Sequence, residues 1–93
     1  MSRPANIQVT FEPLGAMYIR FATGRVHRTI ELVQDAVNID VDHEKKLLGI
    51  EVLQPGLLKV SLRKLEQGPY TLPAATRKMD YRSLEKVFAS VGA

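Results

Sequence analysis

The segment Val37-Asn38-Ile39-Asp40-Val41-Asp42 alternates apolar and polar residues, and Leu47-Leu48-Gly49-Ile50-Glu51-Val52-Leu53 answers it after four residues. Side chains along a strand point alternately to opposite faces, so a slip of one residue would exchange the oily and polar faces. With His43-Glu44-Lys45-Lys46 as the loop, Asp42 opposes Leu47, Val41 opposes Leu48, Ile39 opposes Ile50 and Val37 opposes Val52. The apolar pairs then share one face, where such cross-strand pairs contribute about 0.2–1 kcal/mol each. On the other face Asn38 opposes Glu51 and Asp40 opposes Gly49, which leaves an open patch beside Asp40. The hairpin therefore commits the chain to a sheet with one face that must be covered.

The residues before it read the same way. Ile7, Val9 and Phe11 alternate with Gln8, Thr10 and Glu12, and Pro13-Leu14-Gly15 marks a turn. Met17, Ile19 and Phe21 alternate with Tyr18, Arg20 and Ala22, and Thr23-Gly24 breaks that strand. A third strand runs from His27 to Leu32, with Gln34-Asp35-Ala36 as the next turn. Short connections of this kind predict an antiparallel meander of about five strands over residues 6–53.

The period then changes. Gln54-Pro55-Gly56 ends the sheet region, and Ser61 can cap a short helix carrying Leu62 and Leu65 that Gly68-Pro69 stops, within a helix-and-loop segment 54–79, while Leu58, Val60 and Leu62 also alternate as in a strand. Asp80 is a good N-cap for a C-terminal amphipathic helix over 80–92, where Leu84, Val87, Phe88 and Val91 fall at i, i+3, i+4 and i+7 and Gly92 ends the helix. The expected fold class is α+β, a single domain over residues 1–93. The sheet's oily face is covered by the C-terminal helix, through Leu84 and Phe88, or by a second copy of the sheet.

A chain of 93 residues is too short for two independent cores, and so small a domain is often marginal alone, which favours a homodimer. It has no cysteine, so thiol nucleophiles, thiolate metal sites and disulfides are excluded and a reducing compartment is natural. Neither a signal-like apolar start nor a run approaching the ~20 apolar residues of a membrane helix is present, and the cytoplasm is the expected location. Charge is uneven. Residues 1–53 hold six Lys/Arg against seven Asp/Glu, whereas residues 54–93 hold seven against three. The later cations are scattered singly on helix-like segments, which fits a solvated face better than a dense nucleic-acid patch.

With the strands in sequence order, Tyr18, Arg20, Thr29, Glu31, Asn38, Asp40 and Glu51 share the polar sheet face. Of these, Tyr18, Arg20, Asn38, Asp40 and Glu51 are the candidate ligand or interface residues. Acids and a base side by side can bind a polar ligand or move protons if burial shifts a pKa. The competing reading is a solvated face laced with weak charge pairs, and no nucleophile–base pair or Gly-rich phosphate loop is evident, so no catalytic residue is assigned. Asp40, Asp42, Glu51, His27 and His43 carry metal-ligating groups, yet no enclosing loop gathers the roughly 6–8 oxygens of a calcium site, so neither metal nor cofactor is expected. Tyr18 on the polar side could stack a base, but RNA-binding sheets present several such aromatics. Phe11, Phe21 and Phe88 read as core, and Tyr70 and Tyr81 as residues sealing an interface.

Ala16-Met17-Tyr18-Ile19-Arg20, then Val37 to Asp42, then Leu48-Gly49-Ile50-Glu51-Val52-Leu53 resembles the YuzE-like family of small prokaryotic domains of unknown function. The resemblance covers about residues 6–53. Leu14-Gly15 stands where that family usually has an acidic residue, and Ala36 where it usually has glycine. It implies a soluble bacterial or archaeal protein and brings no activity, cofactor or catalytic residue.

The leading expectation is a non-enzymatic interaction module, a homodimer that binds another protein, with the basic C-terminal segment as the variable contact element. A second is a nucleic-acid-binding or antitoxin-like regulatory protein, suggested by the basic residues after position 53. A third is a small-ligand binder or enzyme using Tyr18, Arg20, Asp40 and Glu51.

Overall fold

The computed structural model describes residues 7–13, 15–54 and 56–91. Asn6, Leu14, Pro55 and Gly92, to which the sequence assigns a strand start, two turns and a helix stop, lie outside the described residues. The strands are β1 (Gln8–Phe11), β2 (Met17–Arg20), β3 (Arg28–Val33), β4 (Val37–Val41) and β5 (Leu47–Val52). Two helices follow, α1 (Leu58–Gln67) and α2 (Tyr81–Val91), with a short 3₁₀ turn at Ala74–Arg77 between them. The chain is thus the expected α+β fold, an antiparallel sheet followed by helices.

Strand order departs from sequence order. It runs β1-β2-β5-β4-β3, so β5 enters between β2 and β4. The connection over residues 21–27 therefore crosses the end of the sheet to reach β3. Three strand spacings amount to ~14 Å, and seven extended residues reach ~23 Å, so the crossing needs no helix. It is tied down on the way: the Phe21 and Ala22 amides donate to the Leu48 carbonyl (2.8 and 3.3 Å), and the His27 amide donates to the Val41 carbonyl (2.9 Å). Gly24 lies against the Leu48 side chain, where an added Cβ would sit 3.0 Å from a Leu48 methyl. Burial explains the order. β5 is buried at every position except Glu51, and a strand oily on both faces belongs in the middle of a sheet.

The hairpin register holds from Val37↔Val52 through Asp40↔Gly49 and then shifts, so that Val41 pairs with Leu47 rather than Leu48. Leu48 is the extra residue of a β-bulge. Strict alternation could bury only one of the two leucines on the oily face. The bulge puts Leu47 in the core (0 % exposed) and leaves Leu48 (3 %) to pack beneath the crossing connection. Asp42 leaves the polar sheet face. Its Oδ1 accepts the Glu44 and Lys46 amides (both 2.9 Å), which holds the turn and keeps its carboxyl below the usual carboxylate range.

Met17, Ile19 and Phe21, Val37, Ile39 and Val41, and Leu47, Ile50 and Val52 form the oily layer, covered by Leu58, Leu62 and Leu65 of α1 and Phe88 of α2. Phe11 tilts against Phe88 with ring centroids 6.3 Å apart. Val87, expected on the apolar stripe of α2, is 47 % exposed instead, because Leu84 and Phe88 take the side that meets the sheet.

The helix ends are held differently from one another. Asp80 caps α2 as expected: its Oδ1 accepts the Ser83 amide (3.1 Å) and its Oδ2 the Ser83 hydroxyl (2.7 Å), which lowers its pKa. Ser61 does not cap α1. It sits inside the helix, fully buried, and its hydroxyl donates to the Leu57 carbonyl (2.6 Å). The start of α1 is capped across the fold by Glu85 of α2, whose carboxylate oxygens accept the Gly56 amide (2.5 Å) and the Leu58 amide (2.9 Å). A carboxylate placed there also complements the helix dipole. Glu85→Ala is expected to lower unfolding free energy by about 1–2 kcal/mol, measured by urea denaturation, while Ser90→Ala on the exposed side of α2 leaves the midpoint in place.

Candidate functional site

The polar sheet face is built by β2, β5 and β4 in that order, which places Tyr18 opposite Glu51, Asn38 opposite Glu51, Arg20 opposite Gly49, and Asp40 opposite Gly49. All five candidate residues therefore meet on one surface, and each is half-buried. Thr29 joins them from β3, opposite Asp40.

Gly49 lies at the centre. The Tyr18 ring lies diagonally across it, and an ideal Cβ at Gly49 would fall 2.0 Å from the Tyr18 hydroxyl oxygen and 2.5 Å from Cζ. A Cβ cannot occupy that space, so the phenol needs glycine beneath it. Across this gap the Tyr18 hydroxyl donates to Asp40 Oδ2 (2.7 Å), and the Thr29 hydroxyl donates to Asp40 Oδ1 (2.6 Å). The open patch expected beside Asp40 is filled by Tyr18. Burial, and then the Asp40 carboxylate that accepts its hydrogen bond, push the Tyr18 phenol well above its ordinary range.

The second half of the face centres on Glu51. Asn38 Nδ2 donates to Glu51 Oε1 (3.1 Å). Glu12, just past β1, lies beside Glu51, and the neighbouring carboxyl raises the Glu12 carboxyl above its usual range. The sequence places Glu12 in the polar set of the first strand, but only the β1-β2-β5 order brings it to Glu51. Arg20 makes no ion pair among the described residues. As chemistry, both Asp40 oxygens accept hydrogen bonds and Tyr18 is held as a neutral donor, an arrangement that orders this surface.

Other side chains gather elsewhere. Where the crossing connection meets the β4–β5 turn, His27 and His43 line two adjoining clefts of about 410 and 280 Å³, the first with Arg25 and Val26, the second with Arg28, Lys45 and Tyr70 among others. No group of three or more ligating side chains is positioned to hold a metal among the described residues. Asp42, Asp40 and Glu51 do not converge: Asp42 is turned into its own loop and the other two are held by different partners. Tyr70 and Tyr81 are half-buried against the core. The Tyr81 hydroxyl donates to the Thr76 carbonyl, and burial pushes its pKa up to about 12. Cavities also lie along the helices, one of about 380 Å³ beside α1 and the 3₁₀ turn and one of about 540 Å³ beside α2.

Two outcomes test this face. Gly49→Ala is expected to cost about 1–3 kcal/mol through overpacking, and much less in a Tyr18→Thr background, because the clash is with the ring; a double-mutant cycle by urea unfolding reads the coupling. The Tyr18 pKa is raised on folding, so its contribution is present below the unfolded phenol value and lost as pH rises through the phenol range. Tyr18→Phe should therefore flatten the alkaline limb of the thermal-stability profile, and an unchanged limb would remove Tyr18 as its source.

No helix among the described residues is long and apolar enough to cross a membrane. No curated protein and no solved structure matches the chain. Residues 16–54, the stretch that supplies β2 to β5 and every one of the five candidate residues, match the family model described as a protein of unknown function (DUF2283).

Proposed function

We propose that this protein is a non-enzymatic interaction module that acts as a homodimer joined through β3. The observation that carries the reading is the state of that strand. β3 is an edge strand, and its oily-side residues Ile30, Leu32 and Val33 are only half-buried, whereas those of β2, β4 and β5 are fully buried. Val26 just before β3 is 44 % exposed, and Leu53, bonded to the turn that follows β3, is 43 % exposed. Apolar residues thus lie along an edge that holds neither lysine nor proline, although Arg28, Glu31 and a register shift between Glu31 and Val33 interrupt it. A second copy pairing through β3 would satisfy its outward backbone groups and bury those apolar residues.

A reducing, cytoplasmic setting suits a chain without cysteine. The YuzE-like resemblance rests on the same segment as the family match and adds no activity to it. The reading of Tyr18, Arg20, Asp40 and Glu51 as a ligand or acid–base site has less support, since Tyr18 and Thr29 already occupy both oxygens of Asp40. Light scattering across micromolar concentrations is expected to give twice the chain mass. Val26→Glu combined with Leu53→Glu, both at exposed positions, should shift the protein to monomer with its circular dichroism unchanged. A wild-type monomer throughout that range would sink the dimer.

A further inference from the structure

Five of the seven cations after position 53 gather beside the two helix-side cavities. Lys59 and Arg63 stand one turn apart on α1, Arg77 closes the 3₁₀ turn, and Arg82 and Lys86 stand one turn apart on α2, all exposed. Lys59 lines both helix-side cavities. It shares one of about 380 Å³ with Arg63 and Arg77 and one of about 540 Å³ with Arg82 and Lys86. The five therefore border a groove made of two cavities that share Lys59 in their linings. None is neutralised by an ion pair among the described residues. Glu85 also lines the second cavity, its carboxylate accepting the Gly56 and Leu58 amides at the start of α1, so three cations there face one carboxylate. Glu66 is the carboxylate left in the first.

The floor is apolar. Leu62, Leu72, Met79 and the Tyr81 ring line the first cavity between the cations. The geometry points to this groove as the docking site for an acidic segment of a partner protein, a short amphipathic stretch whose apolar side chain enters between α1 and the 3₁₀ turn while its carboxylates meet the cationic rim. Charge complementarity selects an acidic occupant, and the apolar floor selects a peptide over a phosphate backbone. A single-stranded nucleic acid would need stacking surfaces as well as cations, and the ring of Tyr81 is packed against the core with its hydroxyl held by Thr76. A helix-in-groove contact uses the features present here, apolar anchors with a charged rim. The inference rests on the reading as an interaction module and names its partner class. It does not depend on the dimer, because the groove lies on the helices and β3 on the sheet edge.

The test is fluorescence anisotropy with the full chain and three labelled probes: a peptide with leucines along one helical face and glutamates on the others, an oligoglutamate without leucines, and a DNA duplex. The leucine–glutamate peptide is expected to bind tightest. Lys59→Glu with Arg77→Glu should weaken it about tenfold or more, the size of a lost charge contact at an interface. Met79→Ala should weaken the peptide and leave the oligoglutamate unchanged. Circular dichroism melts show that each variant is folded. No binding of the peptide, binding indifferent to the charge reversals, or tighter binding of the duplex with the same dependence on Lys59 would each overturn the assignment. The oligomeric state of the charge-reversed variants, read by light scattering, keeps a failed groove distinct from a failed dimer.

Discussion

The polar side of the sheet is organised around the absence of a side chain at Gly49. Three strands meet there: β2 sends the Tyr18 ring over the glycine, β5 supplies the gap, and β4 receives the phenol at Asp40. Thr29 extends the tie to β3. Four adjacent strands are thereby held in one register by two hydrogen bonds and one steric allowance, on the face that no helix covers. The oily face needs no such device, since burial enforces its register. A polar face has no comparable penalty for slippage, and the fit of a ring into a glycine-sized gap supplies one.

The other long-range constraint is the carboxylate of Glu85. It joins the end of the sheet region to α2 by capping α1, which fixes one helix against the other with a pair of charge-assisted hydrogen bonds. The same arrangement shapes the electrostatics of the surface. Glu85 accepts the amides at the start of α1, and the exposed cations Lys59, Arg63, Arg77, Arg82 and Lys86 share the helix side with the exposed Glu66 and Asp80. The sheet's polar face carries Glu12, Asp40 and Glu51 against Arg20. The excess of cations lies after residue 53, seven Lys/Arg against three Asp/Glu, and the net charge is +3.

Much of this was legible in the residues. The hairpin alternation predicts the pairing of Val37 with Val52 and of Asp40 with Gly49 and puts Asn38, Asp40 and Glu51 on one face; Tyr18 and Arg20 are assigned to it on an assumed sequence order of strands, and they stand there beside β5 instead. The Asp80 cap was legible because Asp is a favoured N-cap residue directly before a run of helical apolar spacing. Three features were not. The bulge at Leu48 arises because two successive leucines both need burial, a demand that strict alternation cannot express. The crossing of residues 21–27 depends on β5 being the strand most hungry for neighbours on both sides. The cap on α1 comes from Glu85, far along the chain, so Ser61 drew the assignment on local grounds alone.

The sequence by itself determined the α+β class, the two faces of the sheet and the residues on each, because period-two and helical spacing are properties of the local backbone. Only the tertiary structure decided which strands are neighbours, what fills the space over Gly49, and that cations spread singly over residues 59–86 converge on one groove. Those outcomes turn on distances between residues remote in the chain, which local spacing does not specify.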